Sequence, residues 1–351
     1  MKNAMFDKIK LKANSTIKEA LSIIDSGAMQ IALVLDENNK LLGTVTDGDI
    51  RRGLLRGLTL EDSIEPIIYK TPTVCTINDS KEDILKIAVE KKLYQIPIVD
   101  LEGVLVGLDE VDDLLKPEDH PNKVVLMVGG LGTRLSPLTD NKPKPLLNVG
   151  NKPILETIIA NFAKYGFKNI ILSVNYKSEM IEDYFGDGSS FGVNIKYVHE
   201  NKRMGTAGAL SMMKDELSEA FFVMNGDLLT NINFEHMLKY HQENQAIATM
   251  GVREYDFQVP YGVVNVKEHL ITSIEEKPVH KFFVSAGVYM LDSDILSEIP
   301  TDTFYDMPTL FESLIANKKK AVSFPIREYW LDIGRMSDYE QANSEYHGVF
   351  K

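Results

Sequence analysis

The chain has 351 residues, 44% of them hydrophobic and 25% charged, with a formal net charge of −13. That length fits two or three domains, the apolar share rules out disorder as the dominant state, and the acidic balance argues against nucleic acid as a partner, which needs a basic surface. A lone cysteine, Cys75, excludes an intramolecular disulfide and a Cys-rich zinc site, and points to a reducing compartment.

The opening residues, Met1 to Lys8, are broken by charge too often for a signal-peptide core. No apolar run reaches the roughly 18 residues of a bilayer span, so a cytoplasmic protein without membrane contact is expected. Thr16 opens a helical pattern, standing before Glu19 as in a capping box, with Ile17, Ala20, Leu21 and Ile24 on one face. A β-like run from Ile31 to Leu35 follows, then an acidic turn, a second apolar run with Gly43, and Asp49. From Ser80 the same order returns: Asp83, a helix face of Ile84, Ile87 and Ala88, the run Ile96 to Val99, then Gly107 and Asp113. Ser80, Gly107 and Asp113 each lie 64 positions beyond Thr16, Gly43 and Asp49. One offset shared by three markers indicates duplication, and a period this long suggests a repeated domain and not a solenoid.

The segment Gly43-Thr44-Val45-Thr46-Asp47-Gly48-Asp49-Ile50 resembles the CBS family, the cystathionine-β-synthase type of paired regulatory module. The pair would span residues 1–116, as about 1–62 and 63–116. The resemblance implies that Thr46 and Asp49 hold a purine nucleotide, Asp49 on the ribose hydroxyls. The second copy, Gly107-Leu108-Asp109-Glu110-Val111-Asp112-Asp113, has no hydroxyl where the first has Thr46. CBS modules usually pair between chains, which implies a homodimer or larger. The alternative is that both repeats are only structural or oligomerising units. Residues 117–122, with two prolines and no apolar side chain, read as a linker to a domain over 123–351.

Beyond residue 122 strands alternate with helices: Lys123 to Val128 is a buried strand, Ile154 to Phe162 a helix, and Ile170 to Val174 and Phe221 to Met224 further strands. The expectation is an α/β fold, Rossmann-like with a mainly parallel sheet. After the first strand, Gly129, Gly130 and Gly132 make a tight loop whose N–H groups can close around phosphate, with a helix free to start after Thr133. The loop lacks the Gly-Lys of a Walker A motif and the last glycine of a dinucleotide fingerprint. Arg134 and Lys144 follow, Lys144 between two prolines, and residues 123–152 hold five basic side chains against one acidic, Asp140. Asn225-Gly226-Asp227 puts a carboxylate at the end of a strand, the ligand-binding edge of open α/β sheets. A literal Gly-x-Ser-x-Gly, Gly188 to Gly192, leads into a strand-like run and so lacks the strand–turn–helix context of a nucleophile elbow.

The run Gly129-Gly130-Leu131-Gly132-Thr133-Arg134-Leu135-Ser136-Pro137-Leu138-Thr139, followed by Pro143-Lys144-Pro145-Leu146, resembles the signature of the sugar-1-phosphate nucleotidylyltransferases. It departs at Val128, where Ala is usual. The resemblance implies a nucleoside triphosphate and a sugar-1-phosphate as substrates. Gly129, Gly130, Leu131, Gly132 and Thr133 would bind the nucleotide, together with Gly205 and Thr206 of Met204-Gly205-Thr206-Ala207-Gly208-Ala209. Arg134 would hold the departing pyrophosphate and Lys144 the α-phosphate. Asp227 and Asp332 would hold Mg2+, and Gly262, Glu276 and Lys277 would bind the sugar phosphate. Ser285 stands where many relatives have Asn, which hints at an altered sugar preference. Pro-Lys-Pro-Leu-Leu is nearer the guanylyltransferases of mannose-type sugars. The CBS pair in front resembles the bacterial glucosamine-1-phosphate guanylyltransferases of legionaminic acid biosynthesis. GTP and glucosamine-1-phosphate are therefore favoured, with mannose-1-phosphate the alternative acceptor. A reading of another class is a nucleotide-sensing regulatory protein with an inactive transferase domain; the retained Arg134, Lys144, Asp227, Lys277 and Asp332 speak against it.

Overall fold

The computed structural model describes residues 7–27 and 29–350, in two compact units, Met1–Pro117 and Glu118–Lys351. In the first unit the duplication shows element by element. Helix Ile17–Gly27 answers to Lys81–Lys91, strand Ile31–Leu35 to Gln95–Val99, and strand Leu41–Thr46 to Leu105–Glu110, each pair 64 residues apart. Each middle strand runs parallel to a short first strand, Lys10–Lys12 or Cys75–Thr76, and antiparallel to the next. The acidic turns follow from side-chain chemistry. Asp36 accepts from the N–H groups of Asn38 and Lys40 at 2.8 Å, and Asp100 from those of Glu102 and Val104 at 2.9 Å. The copies meet about a local dyad: Leu41 N–H donates to Gly103 O and Leu105 N–H to Asn39 O.

Thr16 and Ser80 cap their helices, accepting from the Glu19 and Asp83 N–H groups at 3.2 Å. The copies part at the last helix, which spans Asp47–Leu55 in the first and only Val111–Leu114 in the second, where Pro117 follows.

Of the segment 117–122 expected as a linker, Pro117 belongs to the first unit and residues 118–122 are docked on the second. His120 N–H donates to Gly166 O at 3.0 Å, the His120 ring stacks on Phe167, and Asn122 Nδ2 donates to Ala220 O at 2.7 Å. Polar composition reads as a linker, but these groups have distant partners that composition does not encode.

The second unit is built on a seven-stranded sheet in the order Asn194–His199, Asn169–Val174, Val124–Met127, Phe221–Asn225, Val279–Leu291, Ala248–Gln258, Ala321–Pro325. Only Val279–Leu291 opposes its neighbours. Successive residues face opposite sides. Val124, Leu126, Phe222 and Met224 join the core beneath helices Ile154–Lys164 and Phe234–Glu243, while Val125, Phe221 and Val223 join the core beneath helix Met307–Ala316. Both faces are thus buried, which is why the strands read as continuous apolar runs. Ala248–Gln258 and Val279–Leu291 continue beyond the sheet as an exposed two-stranded ribbon, and a hairpin, Val263–Lys267 with Leu270–Glu275, lies between them in sequence. Among the described residues no helix is long and apolar enough to cross a membrane.

Candidate active site

Val124–Met127 and Phe221–Asn225 are parallel neighbours, so the loops after them start side by side. Gly226 N–H donates to Met127 O at 2.9 Å, and a Cβ on Gly226 would collide with Val128 Cγ1. Val128 therefore packs on the turn that presents Asp227. Gly132 holds φ +65° and has Thr139 and Lys144 against it, with Thr139 Oγ1 donating to Gly132 O at 2.9 Å. A Cβ on Gly130 would meet nothing, so the backbone there is open to a ligand. The helix expected after Thr133 is only a 3-10 turn, Thr133–Leu135, because Pro137 comes too soon for a helix to continue. The loop consequently has no helix N-terminus behind it.

The structure brings four of the expected residues together. Lys144, in a short turn between Pro143 and Pro145, reaches Asp227 Oδ2 with Nζ at 2.6 Å. Asp332 ends the strand Trp330–Asp332, which pairs with Leu228–Thr230; Leu228 lies opposite Asp332, and Ile333 N–H donates to Asp227 O at 3.0 Å. This pairing sets the two carboxylates on adjoining strands. A Cβ on Gly334 would lie 3.8 Å from Arg134 Nη1 and 3.9 Å from Asp332 Oδ1, which puts the guanidinium at the same place. Asp332 opens to solvent on one side. Partial burial and then the Asp227 charge nevertheless push its carboxyl above the usual range, against the pull of Lys144 and Arg134.

The other expected residues stand elsewhere. Gly205, at φ +80°, lies against Tyr305 O, and Thr206 Oγ1 accepts from Met307 N–H at 3.0 Å. Both therefore dock residues 204–208 on the start of helix Met307–Ala316. Gly262 and Glu276 are neighbours, with Glu276 Oε2 3.1 Å from a Cβ on Gly262, and they lie with Lys277 beside the exposed hairpin. Leu131 and Thr133 are exposed. Ser285 shares a 2.9 Å hydrogen bond with Tyr289 OH. In the first unit Thr46 lines a cleft of about 770 Å³ with Asp47, Gly48, Arg51 and Lys92 to Gln95. Asp49 is engaged: it accepts from Thr46 N–H and Oγ1 at 2.9 and 2.6 Å and pairs with Arg52. The Thr-x-x-Asp spacing is thus a helix capping box as well as a family motif.

Two residues were missed in the sequence. Glu200 accepts from Ser173 Oγ at 2.8 Å, its Oε1 would lie 3.2 Å from a Cβ on Gly129, and its backbone O accepts from Asn175 Nδ2. Asp338 accepts from the Gly334 and Arg335 N–H groups and so holds the turn after Asp332. The one signal was a carboxylate placed just after a strand or in the first turn of a helix.

Among the described residues no group of three or more His, Cys, Asp or Glu could hold a metal ion. Asp227 and Asp332 nonetheless suit Mg2+, which takes one or two carboxylates and completes its shell with water and phosphate oxygens.

The nucleotidyl transferase family model matches residues 123–348, and the CBS domain model matches residues 2–56. A mannose-1-phosphate guanyltransferase of Schizosaccharomyces pombe is 36% identical over 228 residues, 62% of either chain. A mannose-1-phosphate guanylyltransferase of Mycobacterium tuberculosis is 29% identical over 234 residues, 64% of this chain and 65% of that one. The crystal structure of HddC from Yersinia pseudotuberculosis superposes with a TM-score of 0.52 at 26% identity, covering 64% of this chain and 99% of that one. This chain spans less than two thirds of the length of the curated relatives it matches. With more than half its length matched, the chain belongs to the nucleotidyl transferase family and carries a CBS domain ahead of its transferase unit.

Proposed function

We propose that the chain is a sugar-1-phosphate guanylyltransferase, making GDP-sugar and pyrophosphate from GTP and a sugar-1-phosphate. The cluster of Lys144, Asp227, Asp332 and Arg134 at the carboxyl edge of the sheet carries this reading. In the reaction a phosphate oxygen of the sugar forms a bond to the α-phosphorus, the α–β bridging bond breaks, and pyrophosphate leaves with its electron pair. Two anions must be brought together, so catalysis rests on positioning and charge neutralisation. Lys144 sets a point charge at the α-phosphate, and Arg134 offers a planar fork to the departing pyrophosphate. The open backbone at Gly130 lets phosphate oxygens approach. Asp227 and Asp332 would hold Mg2+, which supplies further neutralisation of phosphate charge. Gly262, Glu276 and Lys277 bind the sugar phosphate, and Gly205 and Thr206 serve the nucleotide by holding residues 204–208 in place against the start of helix Met307–Ala316.

The CBS pair ahead of the transferase favours glucosamine-1-phosphate, as for legionaminic acid synthesis. The names of the relatives favour a second reading, mannose-1-phosphate. Pyrophosphate release measured across a panel of triphosphates and sugar-1-phosphates separates them. Turnover highest with GTP and glucosamine-1-phosphate is expected. Absence of turnover with every pair would favour a sensor with an inactive transferase. The cleft at Thr46, next to the capping residue Asp49, binds a purine nucleotide; calorimetry on the full chain detecting no heat with adenine or guanine nucleotides beyond that of the transferase site refutes this.

A further inference from the structure

The turn that carries Lys144 runs straight into a short hairpin. Leu147 N–H donates to Lys144 O at 3.0 Å and Ile154 N–H to Leu147 O at 2.9 Å. The hairpin between them, Asn148–Val149 with Lys152–Pro153, therefore hangs from the lysine turn. Its strands pair with each other and stand outside the seven-stranded sheet. Two residues per strand cannot hold a hairpin in place in water, so its position is set by what it lies on. That support is the last helix, Met336–Val349.

Tyr339, Asn343 and Tyr346 stand at i, i+4 and i+7 of that helix and so share one face. Tyr339 OH donates to Asn148 O at 2.6 Å, and Asn343 Oδ1 accepts from Gly150 N–H at 3.0 Å. Asn343 Nδ2 donates to Tyr339 O at 2.9 Å, which fixes the way its amide faces. Gly150 holds φ +63°, and a Cβ there would fall 2.2 Å from the Tyr346 ring, so the hairpin backbone lies flush on the helix. The same helix starts from the turn after Asp332, where Asp338 accepts from the Gly334 and Arg335 N–H groups at 3.1 and 2.8 Å. One element thus holds the backbone that follows Asp332 at its first turn and the backbone that follows Lys144 along its side. We propose that Tyr339 and Asn343 are positioning residues that set Lys144 against Asp227 and Asp332. The inference rests on the proposed transfer, in which Lys144 meets the α-phosphate. Neither side chain reaches the reacting atoms; each grips a backbone group of the hairpin. A lysine turn released by about 1 Å would cost up to about 10²-fold in rate.

Tyr339→Phe and Asn343→Ala remove the two grips one at a time and leave the buried Tyr346 in place. Hydrogen exchange and steady-state kinetics on the full chain read the result. Amides of 146–150 should exchange about 10-fold faster in each variant, while those of helix Ile154–Lys164 keep their wild-type rates. In each variant kcat should fall about 10-fold with both KM values within about twofold, since the lysine acts in the transition state. On a Lys144→Met background the same substitutions should cost kcat nothing further, which a general loss of stability would not reproduce. Gln341→Ala, on the opposite face of the helix, should change neither exchange nor kcat. Exchange at 146–150 that neither variant speeds overturns the proposal, whether or not the protein turns over. So does a kcat that both variants leave intact, or one lowered equally on the Lys144→Met background. Faster exchange in the variants of a protein with no turnover would uphold the grip and reject the transfer reading instead.

Discussion

Lys144→Met keeps the length of the side chain and removes its charge. Nζ lies 2.6 Å from Asp227 Oδ2, with the lysine side chain 12% and the aspartate 31% exposed. An exposed pair contributes about 0–1 kcal/mol, whereas removing one partner of a buried pair costs about 3–5 kcal/mol. This pair lies between those limits, so the metal-free variant should lose about 2 kcal/mol, a fall in Tm of ~4–8 °C for a unit of this size. The remaining carboxylate then faces Asp332 without a counter-charge, and a divalent cation can replace what was lost. In the wild type the cation must first displace the lysine. At ten times its Kd, a metal adds about 1.4 kcal/mol, enough to recover most of the lost Tm in the variant and to raise the wild type by less. Calorimetric melts with and without Mg2+, at matched ionic strength, read this difference. Turnover should stay about 10²–10³-fold down even with Mg2+, because the lysine is also the α-phosphate contact. A metal-free variant that melts with the wild type, or an equal Mg2+ response in both proteins, refutes the reasoning.

Arg134→Ala should lower kcat by about 10²–10³-fold while Tm stays near that of the wild type, since the guanidinium is exposed; near-normal turnover would remove Arg134 from the pyrophosphate site. Asp332→Asn tests the raised carboxyl. The folded protein holds that proton more tightly than the unfolded chain, so stability from the group is present in acid and lost as pH rises through the folded pKa. Without metal at neutral pH the amide should gain no more than about 0.5 kcal/mol, the site being partly open. The gain should vanish in acid, and Mg2+ should no longer raise Tm. A metal-free loss of stability at neutral pH would contradict this.

Local signals carried the first unit well. The capping residues Thr16 and Ser80 and the acidic turns at Asp36 and Asp100 are set by neighbours within four residues, the offset of 64 is the repetition of these local signals, and each has its counterpart in the fold. The transferase site was legible only as parts. Lys144 and Asp227 are 83 residues apart, and no periodicity encodes their ion pair; the family signature pointed to both, but not to each other. Where local pattern was trusted alone it misled. Glycines before Thr133 suggested a helix that Pro137 prevents, and two prolines suggested a linker where His120 and Asn122 are docked. Glu200 carries no motif, because its role comes from lying where the ends of two neighbouring strands meet.

The acidic balance of the chain takes on a sharper meaning at this site. Residues 123–152 are basic in sequence, yet in the fold Lys144 is already paired with Asp227, and Arg134 lies beside Asp332 near Asp338. Two cations against three carboxylates leave the empty site with no net attraction for a triphosphate. On the proposed roles, a divalent cation reverses that sign and also frees Lys144 for the α-phosphate. Nucleotide and metal must then favour each other's binding by the same factor. The basic segment is therefore a set of charges held in check, available to phosphate once the two aspartates are occupied.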